Sequence, residues 1–314
     1  MRYCETLSLS SRREAQSLKQ EPLLLRKEVK VLVFEGCTAI KQIRLCEGMG
    51  FTDEERKIYR QIIYQNVFES IREIIIAMKD FEILHSNQPL VDKISECLDN
   101  DTGNCVLCFE IAEDIHQFLQ DSNVENMINK QLCLVEDATY FLPEILRIGS
   151  PDYVPTDKDI LRARQKHKGI AETRLPFGLT KEQTLVLLDV QGQQGEPRKW
   201  MHCFEDIACI LFCASLSDYD RMSEQDRERT RMDDSLAFFQ QIATLSWARR
   251  ISLFLLLNES GEFRRKLLVT PLSHYFPEYT GGDDFRLAID YFKRLFARSG
   301  QIQGRAKERE IYIQ

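Results

Sequence analysis

Apolar residues run along this chain in two different rhythms. Short, mainly apolar runs stand at 30–34 (Lys30, Val31, Leu32, Val33, Phe34), 185–190 (LVLLDV), 207–215 (IACILFCAS) and 251–258 (ISLFLLLN). Runs of this length, rich in branched residues, predict strands buried on both faces, as in a parallel sheet. Elsewhere the apolar positions recur every three or four residues. CTAIKQIRLCEGMG predicts a helix that ends near Gly48 and Gly50. A long helix is predicted from Thr52, with Val67, Ile71, Ile74, Met78 and Phe81 on one apolar face. Thr52 and Glu55 have the spacing of a capping box, which satisfies two orphan backbone N–H groups at a helix start. Residues 85–150 continue as helical segments without a strand signal, DIHQFLQ and DATYFLPEILRI being the clearest amphipathic pieces. RKWMHCFED, MDDSLAFFQQIATL and DFRLAIDYFKRLF predict later helices, while residues 1–28 read as a solvated helix or disordered arm. From about residue 150 strand and helix alternate, which predicts an α/β domain around a parallel sheet. Its first strand lies on the far side of the helical block. The simplest organisation is one α/β domain with an all-helical domain inserted after its first helix.

Composition narrows the functional classes. The formal charge of −7 counts against nonspecific nucleic-acid binding, which needs basic surface to displace counterions. The ten cysteines lack disulfide-type spacing and the first 20 residues lack the apolar segment of a secretory signal. Reduced thiols and a cytoplasmic location are expected. ISLFLLL is too short to cross a bilayer, so no transmembrane segment is expected. Cys105 and Cys108 form a C-x-x-C with no second pair at zinc spacing and read as a helix face.

Four stretches carry candidate chemistry. KVLVFEGCTAIKQI (30–43) has the order strand, glycine turn, helix that phosphate-binding loops use, but the loop is short and contains no lysine. The strand LVLLDV is expected to end in Asp189, followed by Gly192 and Gln193. An acidic residue at the carboxyl end of a parallel strand lies at the rim where ligands bind, where it can hold magnesium. The alternative is a strand running into a solvated turn. ISLFLLLN ends in Asn258, whose amide either reads a ligand or closes a turn on its own backbone. SPDYVPTDKDILRARQKHKG (150–169) reads as an extended loop with two arginines, which either stabilise a transferring phosphoryl group or lie exposed.

Together these stretches resemble the alpha subunits of heterotrimeric G proteins. The resemblance rests on GFTDEERKIYRQIIYQNVFESIREIIIAMKDFEI, DYVPTDKDILRARQKHKGI, DVQGQQGEPRKWMHCFEDI, LSDYD, RMDDSLAFFQQI and YFPEYTGG, in that order, and is weakest at 84–120. It implies a Ras-like P-loop GTPase domain at 30–50 and 165–314, with a parallel-rich sheet. A helical domain plus linker would fill 51–164 and an N-terminal helix or arm 1–29. It also implies GTP or GDP and Mg2+ as cofactors. The implied partners are a beta-gamma dimer, a receptor and an effector, with a peripheral location at the inner face of the plasma membrane. By the same resemblance Arg164 falls on the arginine finger and Gln193 on the glutamine that orients the attacking water. Asp189 falls on the aspartate that helps hold magnesium, and Gly192 faces the terminal phosphate. Leu161 and Arg162 fall in switch I, Glu136 and Asp137 on a helical-domain pair beside the nucleotide, and Asn258 on the guanine-reading motif. Ile170, Glu172, Lys199, Trp200, Cys203 and Phe204 fall on the face offered to the beta-gamma dimer.

Departures from the family pattern concentrate at the nucleotide. The family's first loop reads GxGESGKS(T); matched backwards from Lys41, Gly36 stands at its lysine, Cys37 at its magnesium-binding serine, and Thr38 alone agrees. His167 replaces a magnesium-coordinating threonine, with Lys168 beside it. Gln191, Gln194 and Pro197 replace a glycine and two arginines that latch the active switch against the helix containing Asp234. NESG replaces NKxD, so Glu259 stands at the lysine and Gly261 at the guanine-pairing aspartate. The sequence stops at EIYIQ, before the family's TCAT loop and last helix, and Arg2 takes the place of the Met-Gly that permits myristoylation. Cys4 is expected to be an ordinary thiol, although palmitoylation there stays open. Charge-assisted hydrogen bonds contribute about 1.5–3 kcal/mol each, and about 1.4 kcal/mol is a decade of affinity. The expected function is therefore that of a GTP-binding signal transducer with impaired nucleotide binding. The alternative is a noncatalytic pseudo-GTPase that binds a beta-gamma dimer or effectors. A missing exon edge would account for the short loop but not for the scattered substitutions.

Overall fold

The computed structural model describes residues 27–99, 106–129, 138–165, 169–177, 182–191, 206–223, 226, 228–300 and 311–313. It divides into two compact units: residues 1–40 with 166–314, and 41–165.

The first unit is built on a six-stranded sheet. β1 (Glu28–Phe34), β2 (Gly169–Phe177), β3 (Gln183–Gln191), β4 (Ile207–Ser215), β5 (Ser252–Asn258) and β6 (Ile311–Ile313) lie in the order β2-β3-β1-β4-β5-β6. All neighbouring pairs are parallel except β2–β3, which is an antiparallel edge pair. In β1 the period of two sends Leu32 and Phe34 to one face, where they join Ile210, Phe212, Leu253 and Leu255 in one apolar cluster. Two helices cover that face: α9 (Arg231–Thr244), through Phe238, Phe239 and Ile242, and α11 (Phe285–Gly300), through Phe292 and Phe296. Phe239 meets Phe212 and Phe296 edge-on, both with centroids 5.2 Å apart, a geometry that adds about 0.5–1.5 kcal/mol per pair beyond area burial. α9 opens on a capping box between Thr230 and Asp233. α10 (Ser260–Leu267) connects β5 to the segment before α11.

The second unit is helical throughout its described residues. It holds most of α1 (Cys37–Cys46), followed by α2 (Asp53–Asp80), α3 (Gln88–Asp99), α4 (Phe109–Leu119), α5 (Ser122–Asn129), α6 (Ala138–Phe141), α7 (Ile145–Ile148) and α8 (Asp157–Arg162). Gly48 ends α1 with φ +73°, where an L side chain would be strained, and the Met49 N–H returns to the Arg44 carbonyl. The Thr52–Glu55 capping box is present at the start of α2. Val67, Ile71, Ile74 and Met78 then pack on Ile94, Ile115, Phe118 and Ile145 of the other helices.

Several local expectations are corrected. Phe81 is the C-cap of α2 and is exposed, because the helix ends before its side chain can join the buried stripe. DATYFLPEILRI is not one helix. A 3-10 turn at Leu142–Glu144, with Pro143 inside it, separates α6 from α7; proline donates no N–H to a continuing α-helix. The run 150–169 is not wholly an extended loop. A further capping box, Thr156 with Asp159, starts α8, which carries Arg162. Cys108 lies on no helix face; it is the extended N-cap of α4, while Cys105 lies outside the described residues. β2 carried no apolar alternation, since Leu175 is its one buried side chain.

Candidate functional site

In an open parallel sheet ligands bind beyond the carboxyl ends of the strands, where connections leave a central strand in opposite directions. Here that point is β1, flanked by β3 on one side and β4 on the other. At those strand ends the sequence places Glu35 and Gly36 after β1, Asp189 near the end of β3, Cys213 and Ser215 in β4, and Asn258 and Glu259 at the end of β5.

The connection from β1 to α1 is two residues long. Glu35 takes a left-handed conformation with φ 55°, which turns the chain sharply. Gly36 follows, and its carbonyl accepts the Ile40 N–H at 2.9 Å to open the helix. A Cβ on Gly36 would lie 2.0 Å from Val33 Cγ1 and 3.5 Å from Cys213 Sγ. The turn is therefore closed tightly onto the strand it leaves. Gly36→Ala is expected to cost about 1–3 kcal/mol through overpacking. In a Val33→Ala background, urea denaturation is expected to show less than half that cost, because the obstructing methyl is gone.

Asp189 pairs in register with Val33 and with Ala171 and is buried within the sheet; β3 continues to Gln191, so the carboxylate is not at the strand's last position. Beside it, burial pushes the Cys213 thiol up to about 12; the charges of Asp189 and Glu35 add to this, and a hydrogen bond with the Asn258 side chain partly offsets it. Cys213 is thus protonated and unreactive at neutral pH. Asn258 is the last residue of β5, with its side chain near that thiol.

Glu259 also has positive φ, 57°, at the N-cap of α10. Its carboxylate accepts the Ser215 hydroxyl at 2.7 Å and the Ser217 hydroxyl. The Lys266 ammonium holds the Ser217 carbonyl at 2.9 Å and the Asp220 carboxylate at 2.5 Å, both inside the protein. The side chains assembled at the strand ends are carboxylates, hydroxyls, an amide and a thiol. Sequence reasoning noted Glu259 only as a replacement. Ser215, Ser217 and Cys213 carried no signal beyond their position at the end of an apolar run. Among the described residues no group of three His, Cys, Asp or Glu side chains is placed to hold a metal ion.

The arginine-bearing segment belongs to the helical unit. Asp159, fully buried on α8, accepts Arg147 Nη1 and Nη2 at 3.0 and 2.9 Å, the Tyr140 and Tyr153 hydroxyls at 2.8 and 3.1 Å, and the Thr156 N–H at 2.9 Å. Burial raises its pKa, but hydrogen bonds from Arg147, Thr156 and Tyr140 outweigh that and hold the carboxyl well below its usual range. Just beyond α8, the Asn66 amide meets the backbone of Arg164 twice: Nδ2 donates to its carbonyl at 3.0 Å and Oδ1 accepts its N–H at 2.8 Å. The buried Lys41 ammonium donates to the Ala163 carbonyl at 2.5 Å and lies 5.1 Å from the centre of the Tyr59 ring. Arg162 is exposed, with its guanidinium 5.9 Å from the Tyr140 ring, and Leu161 is half-buried.

A family model described as G-protein alpha subunit matches residues 10–314. The chain belongs to the G-protein alpha subunit family. It is similar to a guanine nucleotide-binding protein subunit alpha of Cryptococcus neoformans (strain JEC21), 33% identical over 296 residues, covering 91% of this chain and 68% of that protein. It is likewise 33% identical over 313 residues to the G-protein complex alpha subunit gpaA of Aspergillus fumigatus, covering 94% and 84%. The alpha-1 subunit of Neurospora crassa matches at 33% over 293 residues, covering 90% and 82%. The fold is the family's α/β class: a Ras-like, mostly parallel sheet with a helical insert. Members of the family bind GTP or GDP with Mg2+ and work with beta-gamma dimers, receptors and effectors.

The family positions divide between the two units. Gly36, Thr38, Asp189 and Asn258 belong to the sheet unit; Leu161, Arg162 and Arg164 belong to the helical one. For Cys37 the backbone alone is described, as the first residue of α1. Ile170 and Glu172 lie exposed on the edge strand β2, Glu172 accepting Arg174 Nε at 2.5 Å. Glu136, Asp137, His167, Gly192, Gln193, Lys199, Trp200, Cys203 and Phe204 lie outside the described residues. So do Lys168, Gln194, Pro197, Cys4 and nearly all of the predicted helix RKWMHCFED. No helix among the described residues is long and apolar enough to cross a membrane.

Proposed function

We propose that this chain is a signal transducer of the alpha-subunit family in which GTP and magnesium binding is impaired. The observation that carries the reading is the two-residue connection between β1 and α1. A phosphate cradle needs several consecutive backbone N–H groups and a lysine. Two residues cannot supply the first, and Gly36, closed onto Val33, replaces the second. The first lysine beyond the turn, Lys41, is buried on the Ala163 carbonyl. The residues present therefore do not fit a magnesium–triphosphate held in the family's manner, and no hydrolytic step is derived through one. Arg164 and Gln193 are the family's catalytic positions; Asp189, with the degenerate Cys37 and His167, is its magnesium position.

A second reading is favoured by Glu259. A carboxylate bonded to Ser215 and Ser217 stands where the family has a lysine, and it repels rather than attracts an anionic nucleotide. On that reading the chain is a noncatalytic pseudo-GTPase that binds a beta-gamma dimer or effectors. Ile170, Glu172, Lys199, Trp200, Cys203 and Phe204 would form its beta-gamma face. On either reading residues 51–164 serve as the inserted helical domain plus linker, and the protein acts in the cytoplasm, peripherally at the inner face of the plasma membrane.

Titrating the purified chain with a fluorescent GTP analogue, with and without magnesium, tests the proposal. No magnesium-dependent binding is expected in the micromolar range or below. Magnesium-dependent binding at micromolar or tighter affinity overturns it. Retention of a beta-gamma dimer by a chain that binds no nucleotide selects the noncatalytic reading.

A further inference from the structure

Residues 163 and 164 are held by side chains that come from elsewhere in the same helical unit. In an extended residue the N–H and C=O point to the same side, as they do in a hydrogen-bonded pair of an antiparallel ladder. The Asn66 amide engages both groups of Arg164 at 2.8 and 3.0 Å and so acts as a one-residue partner strand fixed to α2. Asn66 is itself half-buried between Ile63 and Val67, which are fully buried, so its position is set by the core. One residue earlier, Ala163 is the C-cap of α8 and turns the chain out of the helix with ψ 128°. Its carbonyl receives the buried Lys41 ammonium, and cations near the final carbonyls of a helix are favourable. α8 is anchored in turn by the Asp159 network and by Arg56, which donates to the Pro155 carbonyl at 2.6 Å and pairs with Asp157.

We infer that Asn66 and Lys41 are positioning residues for Arg164, fixing its backbone through the protein's own side chains and independently of nucleotide. The inference rests on the family reading of Arg164 as the arginine of the nucleotide site. It adds that this arginine is set in place by the helical unit, where a nucleotide-driven switch would order such a segment through its ligand.

The Arg164 N–H reports the contact directly, since Asn66 Oδ1 is its acceptor. Hydrogen exchange resolved to single amides is measured on the full chain. In the unsubstituted protein the Arg164 amide is expected to be protected, and a GTP analogue with magnesium is expected to leave its rate unchanged. Asn66→Ala is expected to speed its exchange about fivefold or more. Asn66→Asp keeps the acceptor for the Arg164 N–H but sets its second oxygen against the Arg164 carbonyl, so protection at that amide is expected to lie between that of Asn66→Ala and the parent, a partial rescue that a purely packing role would not produce. Lys41→Met keeps the stem against Tyr59 and is expected to speed exchange at 163–165 alone. Unchanged amides across 109–119 verify that the unit is folded. If Asn66→Ala loses protection there too, the other two variants decide. Protection of Arg164 higher in Asn66→Asp than in Asn66→Ala, and reduced in Lys41→Met relative to the parent, supports the inference, and any other pattern overturns it. An Arg164 amide unprotected in the parent, indifferent to Asn66→Ala, or slowed about fivefold by nucleotide overturns it as well. Tight nucleotide binding without such slowing overturns the proposed function and leaves this inference standing.

Discussion

Asp159→Ala is expected to destabilise the helical unit by about 3 kcal/mol, near the lower end for breaking a buried ion pair, because Arg147 keeps some solvent contact. The variant removes the one acceptor shared by the Arg147 guanidinium, two tyrosine hydroxyls and the Thr156 N–H, and strips α8 of its capping box. Asp159→Asn is expected to fare little better. Its Nδ2 would face the donors that now converge on one carboxylate oxygen. Urea denaturation followed by helical circular dichroism measures both. The carboxyl's pKa is depressed in the folded state. The stability that Asp159 contributes is therefore fully present above the unfolded value of about 3.9 and is lost as pH falls through the lower folded value. The parent's stability is thus expected to fall between about pH 4 and pH 2, and the Asp159→Ala variant is expected to show a shallower fall. Equal slopes would contradict the assignment.

Lys266→Met is expected to cost the sheet unit about 3–5 kcal/mol, since it strands the buried Asp220 carboxylate. The same ammonium ties down the Ser217 carbonyl, whose residue gives its hydroxyl to Glu259, so the strand-end cradle is expected to loosen with the fold. The double variant Lys266→Met/Asp220→Leu is expected to recover most of the loss, because a hydrophobic pair of similar volume leaves no uncompensated charge. A single variant within about 1 kcal/mol of the parent in urea denaturation would show the pair to be dispensable.

Much of this architecture was legible in the residues. LVLLDV and IACILFCAS carry buried or half-buried side chains on both faces, so they leave a largely apolar run that needs no context to be read; ISLFLLLN departs from that expectation, since Leu253 and Leu255 are buried but Phe254 between them is exposed. Thr52 with Glu55 reports a helix start through local hydrogen bonds alone. β2 was not legible, because an edge strand with one buried side chain is held by its ladder to β3 and leaves almost no pattern. α8 was hidden inside YVPTDKDILRAR, where six residues are too few for a periodic stripe. Thr156 and Asp159 offered a capping signal of the same kind as Thr52 and Glu55.

Resemblance to the family assigned roles to Gly36, Asp189 and Asn258 in the sheet unit and to Arg164 in the helical one, and it marked Glu259 and Gly261 as departures. It did not show what those side chains do. That Cys213 lies against Gly36, that Glu259 gathers two serine hydroxyls, and that Asn66 grips Arg164 across 98 residues depend on contacts between segments far apart in the chain. The sequence by itself determined the family, the strand and helix alternation, and the absence of a lysine from the β1–α1 turn, because these are properties of local order and residue type. Only the tertiary structure decided that the turn closes onto Val33, that Lys41 is buried on Ala163, and that Asp159 has five donors. Burial and hydrogen-bond partners are properties of the folded chain, and residue type or spacing does not encode them one position at a time.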